Sequence, residues 1–126
     1  MRTTVIAIIL FAFIITSSVL FDCHVKSSVE SISDNIKEFK LFIDNNDKEN
    51  AKNCFRNIQA EWKRDEKFLQ IMTEHSELDS INEFLSKLSA ACENDEYSSV
   101  YENIYSLEYF INHIYEKKII NITTIL

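Results

Sequence analysis

Two patterns of apolar residues divide the chain. Residues 3–21, TTVIAIILFAFIITSSVLF, show no periodicity: every face is apolar or weakly polar, and no charge, Gly or Pro interrupts them. From Val29 onward apolar residues return at three- and four-residue spacing, the rhythm of amphipathic helices. Ser27-Ser28-Val29-Glu30 reads as a capping box ahead of a first such helix, in which Val29, Ile32, Ile36, Phe39 and Phe42 or Ile43 recur until about Asp44. Asn45-Asn46-Asp47 is a turn, with Asn46 placed to cap a second helix and Glu49 three residues on. Ala51, Phe55, Ile58, Trp62, Leu69 and Met72 line that helix to about His75, and Cys54, Phe68 and Ile71 widen its apolar face. Ser76, with Asp79 at the third position, opens a third helix carrying Leu78, Ile81, Leu85, Leu88 and Cys92, which stops at Glu93-Asn94. Asp95 caps a fourth, with Tyr97, Tyr101, Ile104, Leu107, Ile111 and Ile114 inward. The apolar, β-branched tail, residues 119–126, is expected to pack back on the bundle.

Turns of a few residues make neighbouring helices antiparallel. The expected fold is therefore all-α: an N-terminal transmembrane helix over residues 1–22, then a four-helix antiparallel bundle of two helical hairpins over residues 23–126. A faint echo accompanies it, too loose to indicate duplication. Ile36-Lys37-Glu38-Phe39, Asn46-Asp47 and Asn57-Ile58 recur as Ile81-Asn82-Glu83-Phe84, Asn94-Asp95 and Asn103-Ile104, at offsets of 45 to 48 residues.

As helix at ~1.5 Å per residue, residues 3–21 reach roughly 28 Å, close to the ~30 Å hydrocarbon core of a bilayer. A cleaved signal peptide shares the positive start, here Arg2 and the amino terminus. Its apolar region usually runs only ~7 to 15 residues and ends at small residues, a role open here to Thr16 and Ser18 alone. A lipoprotein reading of Cys23 conflicts with the bulky, acidic Leu20-Phe21-Asp22 before it. With Arg2 on one side and Lys26 beyond Asp22 and His24 on the other, the charge bias puts the N-terminus in the cytoplasm and the bundle outside.

Composition sharpens this. Gly and Pro are both absent from the 126 residues, which disfavours strand-rich folds and turns that need positive φ. The net charge of −7 is uneven: residues 26–67 carry nine bases and nine acids, whereas residues 74–108 carry nine acids and only Lys87 as a base. An acidic second half argues against a nucleic-acid footprint and against clinging to anionic headgroups, and suits a solvated surface, a basic partner or cations. Cys23, Cys54 and Cys92 are odd in number and form no C-x-x-C pair, so buried thiols are expected, with a Cys54–Cys92 bridge left open.

Glu61-Trp62, the run from Glu74-His75-Ser76-Glu77 to Leu78-Asp79-Ser80-Ile81, the run from Leu107-Glu108-Tyr109-Phe110 to Ile111-Asn112-His113-Ile114, and the Ile-Leu ending resemble a family of unknown function. Its members are short membrane-anchored proteins of anaerobic, spore-forming Gram-positive bacteria. The resemblance spans nearly the whole chain and implies a single-pass helical protein with no assigned activity, in some members with a gene neighbour that encodes another membrane protein of uncharacterised role. The chain departs from the family pattern at Tyr115, where Pro commonly follows His-Ile, and in the less acidic Asn121-Ile122-Thr123-Thr124, which leaves the shape of the tail open.

Candidate chemistry is sparse. Up-down-up-down order brings the hinge at residues 74–79 and His113 to the membrane-proximal end, where His75, His113, Glu77 and Asp79 form a candidate metal set of two imidazoles and two carboxylates. The competing reading is plain capping: Glu77 and Asp79 in the first turn of one helix, His75 in the last turn of another. Tyr97, Tyr101, Tyr105 and Tyr109 recur every fourth residue as a candidate partner surface or the rim of a core. Without Gly there is no phosphate loop or nucleophile elbow, and no H-E-x-x-H or nucleophile with an evident base occurs, so no enzyme, cofactor or small-molecule substrate is expected. Asn121-Ile122-Thr123 is a glycosylation sequon by spelling alone. The resulting expectation is a single-pass anchored protein that joins another membrane protein as an accessory subunit; the alternative is a juxtamembrane metal-binding or sensing domain.

Overall fold

The computed structural model describes residues 1–71 and 73–125, with side chains throughout except those of Tyr115 and residues 117–125. Met72 and the tail side chains, both assigned inward positions by the pattern, lie outside the described residues. The order is α1 (Arg2–Asp44), α2 (Lys48–Leu69), α3 (His75–Glu93) and α4 (Tyr97–Ile125), with no strand among the described residues.

The capping box is not used. The apolar run and the first amphipathic helix form one 43-residue helix, about 65 Å long at ~1.5 Å per residue. Nothing between them breaks a helix, so the hydrogen-bond ladder continues through Ser27 and Ser28, and Ser28 turns inward instead of capping. Helices α1 and α2 form one tight antiparallel hairpin and α3 and α4 a second; α1 against α4 closes the bundle, and α2 touches α3 least.

The core is the expected stripe. Val29, Ile32, Ile36 and Phe39 of α1 meet Phe55, Ile58 and Trp62 of α2, Ile81 and Leu88 of α3, and Ile104, Leu107 and Ile111 of α4, all 4% exposed or less. Each such side chain contributes about 1.5–3 kcal/mol by leaving water. Val100, which the pattern omits, is fully buried, while Tyr97 and Tyr101 stay at the rim.

Both intra-hairpin turns solve the absence of Gly in the same way. Asn46 and Asp95 each adopt φ 55°, the left-handed conformation ordinarily left to Gly. In each, an amide bonds back five residues, Asp47 N to Phe42 O at 2.9 Å and Glu96 N to Ala91 O at 3.0 Å, which is the Schellman pattern. Asn46 and Asp95 therefore end the turns and do not cap the helices that follow. Asp47 caps α2, its side chain accepting from Asn50 N at 3.3 Å.

The hinge between hairpins also differs from the pattern. Helix α2 ends at Leu69, and Glu74, extended at ψ 140°, is the N-cap of α3. Apolar periodicity runs on through Ile71 and Met72, so it could not locate this stop. His75 consequently begins α3 instead of closing α2, where the helix dipole disfavours a cation instead of favouring one. Ser76 sits within the first turn, accepting a bond from Ser80 Oγ at 2.9 Å, and Asp79 lies beyond that turn.

Candidate functional site

Helix α1 changes character along its length. Its most apolar window has a mean hydropathy of 2.6 and no buried residue, so it is long and apolar enough to cross a membrane, and no other element covers it. Phe13 is 70% exposed, whereas Val25 is 1% exposed. The change falls at Phe21 and His24, whose rings meet Phe68 near the end of α2 at 4.3 and 4.6 Å between centroids.

Beyond that point polar contacts fix α1 against α2. Ser28 Oγ donates to Asp65 Oδ2 at 2.8 Å, and the Arg64 guanidinium reaches Asp65 Oδ1 at 3.2 Å, so both oxygens of a carboxylate only 3% exposed are engaged. One turn on, Ser31 Oγ and Asn35 Nδ2 donate to the two oxygens of Glu61 at 2.9 and 3.0 Å. Buried polar groups must be paired, so these bonds hold α1 at one rotation and one height; a rotated helix would leave Asp65 Oδ2 without the Ser28 hydroxyl. Sequence reasoning missed this seam. Its available signal was the Ser28, Ser31, Asn35 spacing beside the apolar stripe.

The tyrosines divide into two pairs. Tyr101 OH donates to Asp44 Oδ1 at 2.5 Å and Tyr97 OH to Asp95 Oδ1 at 3.3 Å; the Asp44 bond raises the Tyr101 pKa, and burial foremost raises that of Tyr97. These two tie helix ends to turns. Tyr105 and Tyr109 are 58% and 65% exposed on the outer side of α4. Lys40, ion-paired with Glu108, lies over the Tyr105 ring at 4.4 Å, and Tyr109 stacks on His113 at 6.0 Å. Of these four tyrosines, the second pair is the more accessible.

Of the candidate metal set, the fold joins two. His113 Nδ1 lies 3.1 Å from Glu77 Oε1 across α3 and α4, as antiparallel order requires. His75 and Asp79 are exposed, and among the described residues no group of three His, Cys, Asp or Glu is arranged to hold a metal. The three thiols are free, so the Cys54–Cys92 bridge is not formed. Cys54 Sγ donates to Asn35 O at 3.2 Å and its pKa rises to about 11, through burial first and then the Glu38 and Glu61 carboxylates. Burial likewise raises that of Cys92.

Among the described residues these features define an all-helical protein of four helices, the first of which projects from the bundle as an exposed apolar rod. The chain belongs to the family described as a domain of unknown function, DUF4363, which matches residues 19–125. No curated protein and no solved structure matches it. The matched span starts at the end of the apolar run and takes in the whole bundle. Within it, Glu61, Trp62, Glu77, Glu108 and His113, all in segments quoted above for the resemblance, make contacts between helices.

Proposed function

We propose that this is a single-pass membrane protein whose bundle serves as an accessory subunit, binding another membrane protein. The observation that carries the reading is the continuity of α1: its first half is apolar and uncovered, and its second half is a wall of the core. An anchor joined to its domain by a flexible linker leaves the domain free to tumble. Here the anchor enters the bundle without a break, and the Ser28–Asp65 and Glu61 contacts fix its rotation. The domain is thus held at one orientation to the bilayer, as docking on a neighbour in the same membrane requires. In this reading the N-terminus is cytoplasmic and the bundle lies outside, with Tyr105 and Tyr109 on the acidic outer side of α4 as the contact surface.

Mild cross-linking in native membranes, detergent purification and mass spectrometry test it. A membrane protein recovered in near-equal amount, and lost in a Tyr105→Ala, Tyr109→Ala variant that still folds, is the expected result. Recovery of the chain alone, or release from membranes by alkaline carbonate, would refute it. Among the described residues a metal reading has only the His113–Glu77 pair behind it, two donors where zinc takes four.

A further inference from the structure

The hinge between α2 and α3 lies where the uncovered half of α1 ends. Phe68, one residue before α2 stops, meets Phe21 and His24 of α1. The chain therefore turns at the level where the apolar run gives way to the bundle. Helix α4 comes down to the same level. Tyr101 bonds to Asp44 and Lys40 pairs with Glu108, so α4 and α1 run in opposite directions. At equal rise, the helical residues 119–125, of sequence IINITTI, come level with about residues 20–29 of α1.

The hinge presents a bare apolar side chain at that level. Gln70 N, Ile71 N and Thr73 N bond back to Glu66 O, Phe68 O and Leu69 O at 2.9, 3.3 and 3.0 Å, so the turn is fixed to the end of α2. Thr73 is buried, whereas Ile71 is 75% exposed, more than any large apolar side chain within residues 3–21. Among the described residues beyond that run, the other exposed aliphatic side chain is Leu41, 62% exposed at the far end of the bundle. One exposed isoleucine on a water-facing surface is ordinary. Ile71 is set apart by its level beside the rod. No described element covers the rod just below, so whatever surrounds α1 there also meets the hinge. Lys67, in the last turn of α2, is exposed too, and a lysine stem lies along apolar surface while its ammonium stays in water. Asp22 and Glu74 stand at the same level, so this rim has no single sign to attract anionic headgroups.

We infer that the hinge is a second membrane contact, with Ile71 in the hydrocarbon edge of the bilayer beside α1 and Lys67 among the headgroups. The inference rests on the single-pass reading, because it takes its depth from α1, and it adds a consequence. A lone spanning helix tilts over roughly 0–40°. A contact to one side of its axis limits that tilt, and so fixes which face of the bundle looks along the membrane.

The test is tryptophan emission from the full chain in phosphatidylcholine vesicles. In a Trp62→Phe background the sole indole is the one introduced by Ile71→Trp, Leu41→Trp or Phe13→Trp. With Ile71→Trp, emission is expected at short wavelength, and most of it should be lost when the lipid is brominated near the top of its acyl chains. Leu41→Trp, also exposed but remote, should emit as in water and keep its intensity. Phe13→Trp, inside the rod, tests the anchor separately with lipid brominated near the chain ends. Quenching of Phe13→Trp without quenching of Ile71→Trp would overturn the hinge contact and leave the anchor standing; no quenching of Phe13→Trp would overturn both. A second measurement keeps Trp62. In a Cys23→Ser chain, a charged maleimide confined to water should label Leu41→Cys fast and Ile71→Cys slowly in the same vesicles, and equal rates would overturn the inference.

Discussion

Replacing Trp62 by Ala is the sharpest test of how the bundle is held together. The indole is 3% exposed and lies among Ile32, Ile58, Ile81, Leu85, Leu107 and Ile111, so it touches all four helices' shared interior. Removing a buried aromatic costs about 3–5 kcal/mol, as transfer energy plus an unfilled cavity. Against the 5–15 kcal/mol typical of a domain, that is a large fraction, and at about 4 °C per kcal/mol for ~100 residues it lowers Tm by roughly 12–20 °C. Trp62→Phe separates the contributions. It keeps most of the ring and loses the 2.7 Å bond to Asn82, whose amide still reaches Glu66, so about 1–2 kcal/mol is expected. Urea unfolding followed by circular dichroism measures both, since the sole Trp is lost in each variant. Equal losses for Ala and Phe would refute the reasoning, because the energy would then lie in the hydrogen bond and not in packing.

The α1–α2 seam makes a second prediction: Ser28→Ala strips a donor from the buried Asp65 and costs about 1–3 kcal/mol, Asp65→Ala costs as much or more, and the double variant costs less than the sum, as a denaturation cycle will show. At the α1–α2 turn, Asn46→Val forces a β-branched residue to φ 55° and should destabilise by about 1–2 kcal/mol, whereas Asn46→Gly should not lower Tm. In thiol labelling at pH 8, exposed Cys23 should react fast and Cys54 and Cys92 slowly until the chain is unfolded. A thiol whose pKa is raised in the folded state binds its proton more tightly there. The stability Cys54 contributes is therefore full below its ordinary value of 9.0 and falls away as pH climbs towards about 11. Urea midpoints between pH 8 and 11 should decline, with a shallower slope in Cys54→Ala; identical slopes would remove the thiol as the cause.

Some of this protein was determined by the sequence alone. Four helices, two antiparallel hairpins and the inward stripe from Val29 to Ile114 follow from three-four spacing, because helix periodicity is a local property and solvent decides which face turns in. The apolar rod of residues 3–21 was equally plain, since its pattern has no polar face. The meeting of His113 with Glu77 followed from antiparallel order, because topology alone brings those ends together.

The tertiary structure decided what depends on competition between elements. Ser27 and Ser28 spell a capping box, yet the continuous ladder of α1 and the pairing of Ser28 with Asp65 prevail, because a buried carboxylate on another helix needs that hydroxyl. Apolar residues continue past Leu69, so only the extended Glu74 shows where α2 stops and that His75 belongs to α3. The tyrosine stripe has one period in sequence, but α1 claims the hydroxyl of Tyr101 and leaves Tyr105 and Tyr109 at the surface.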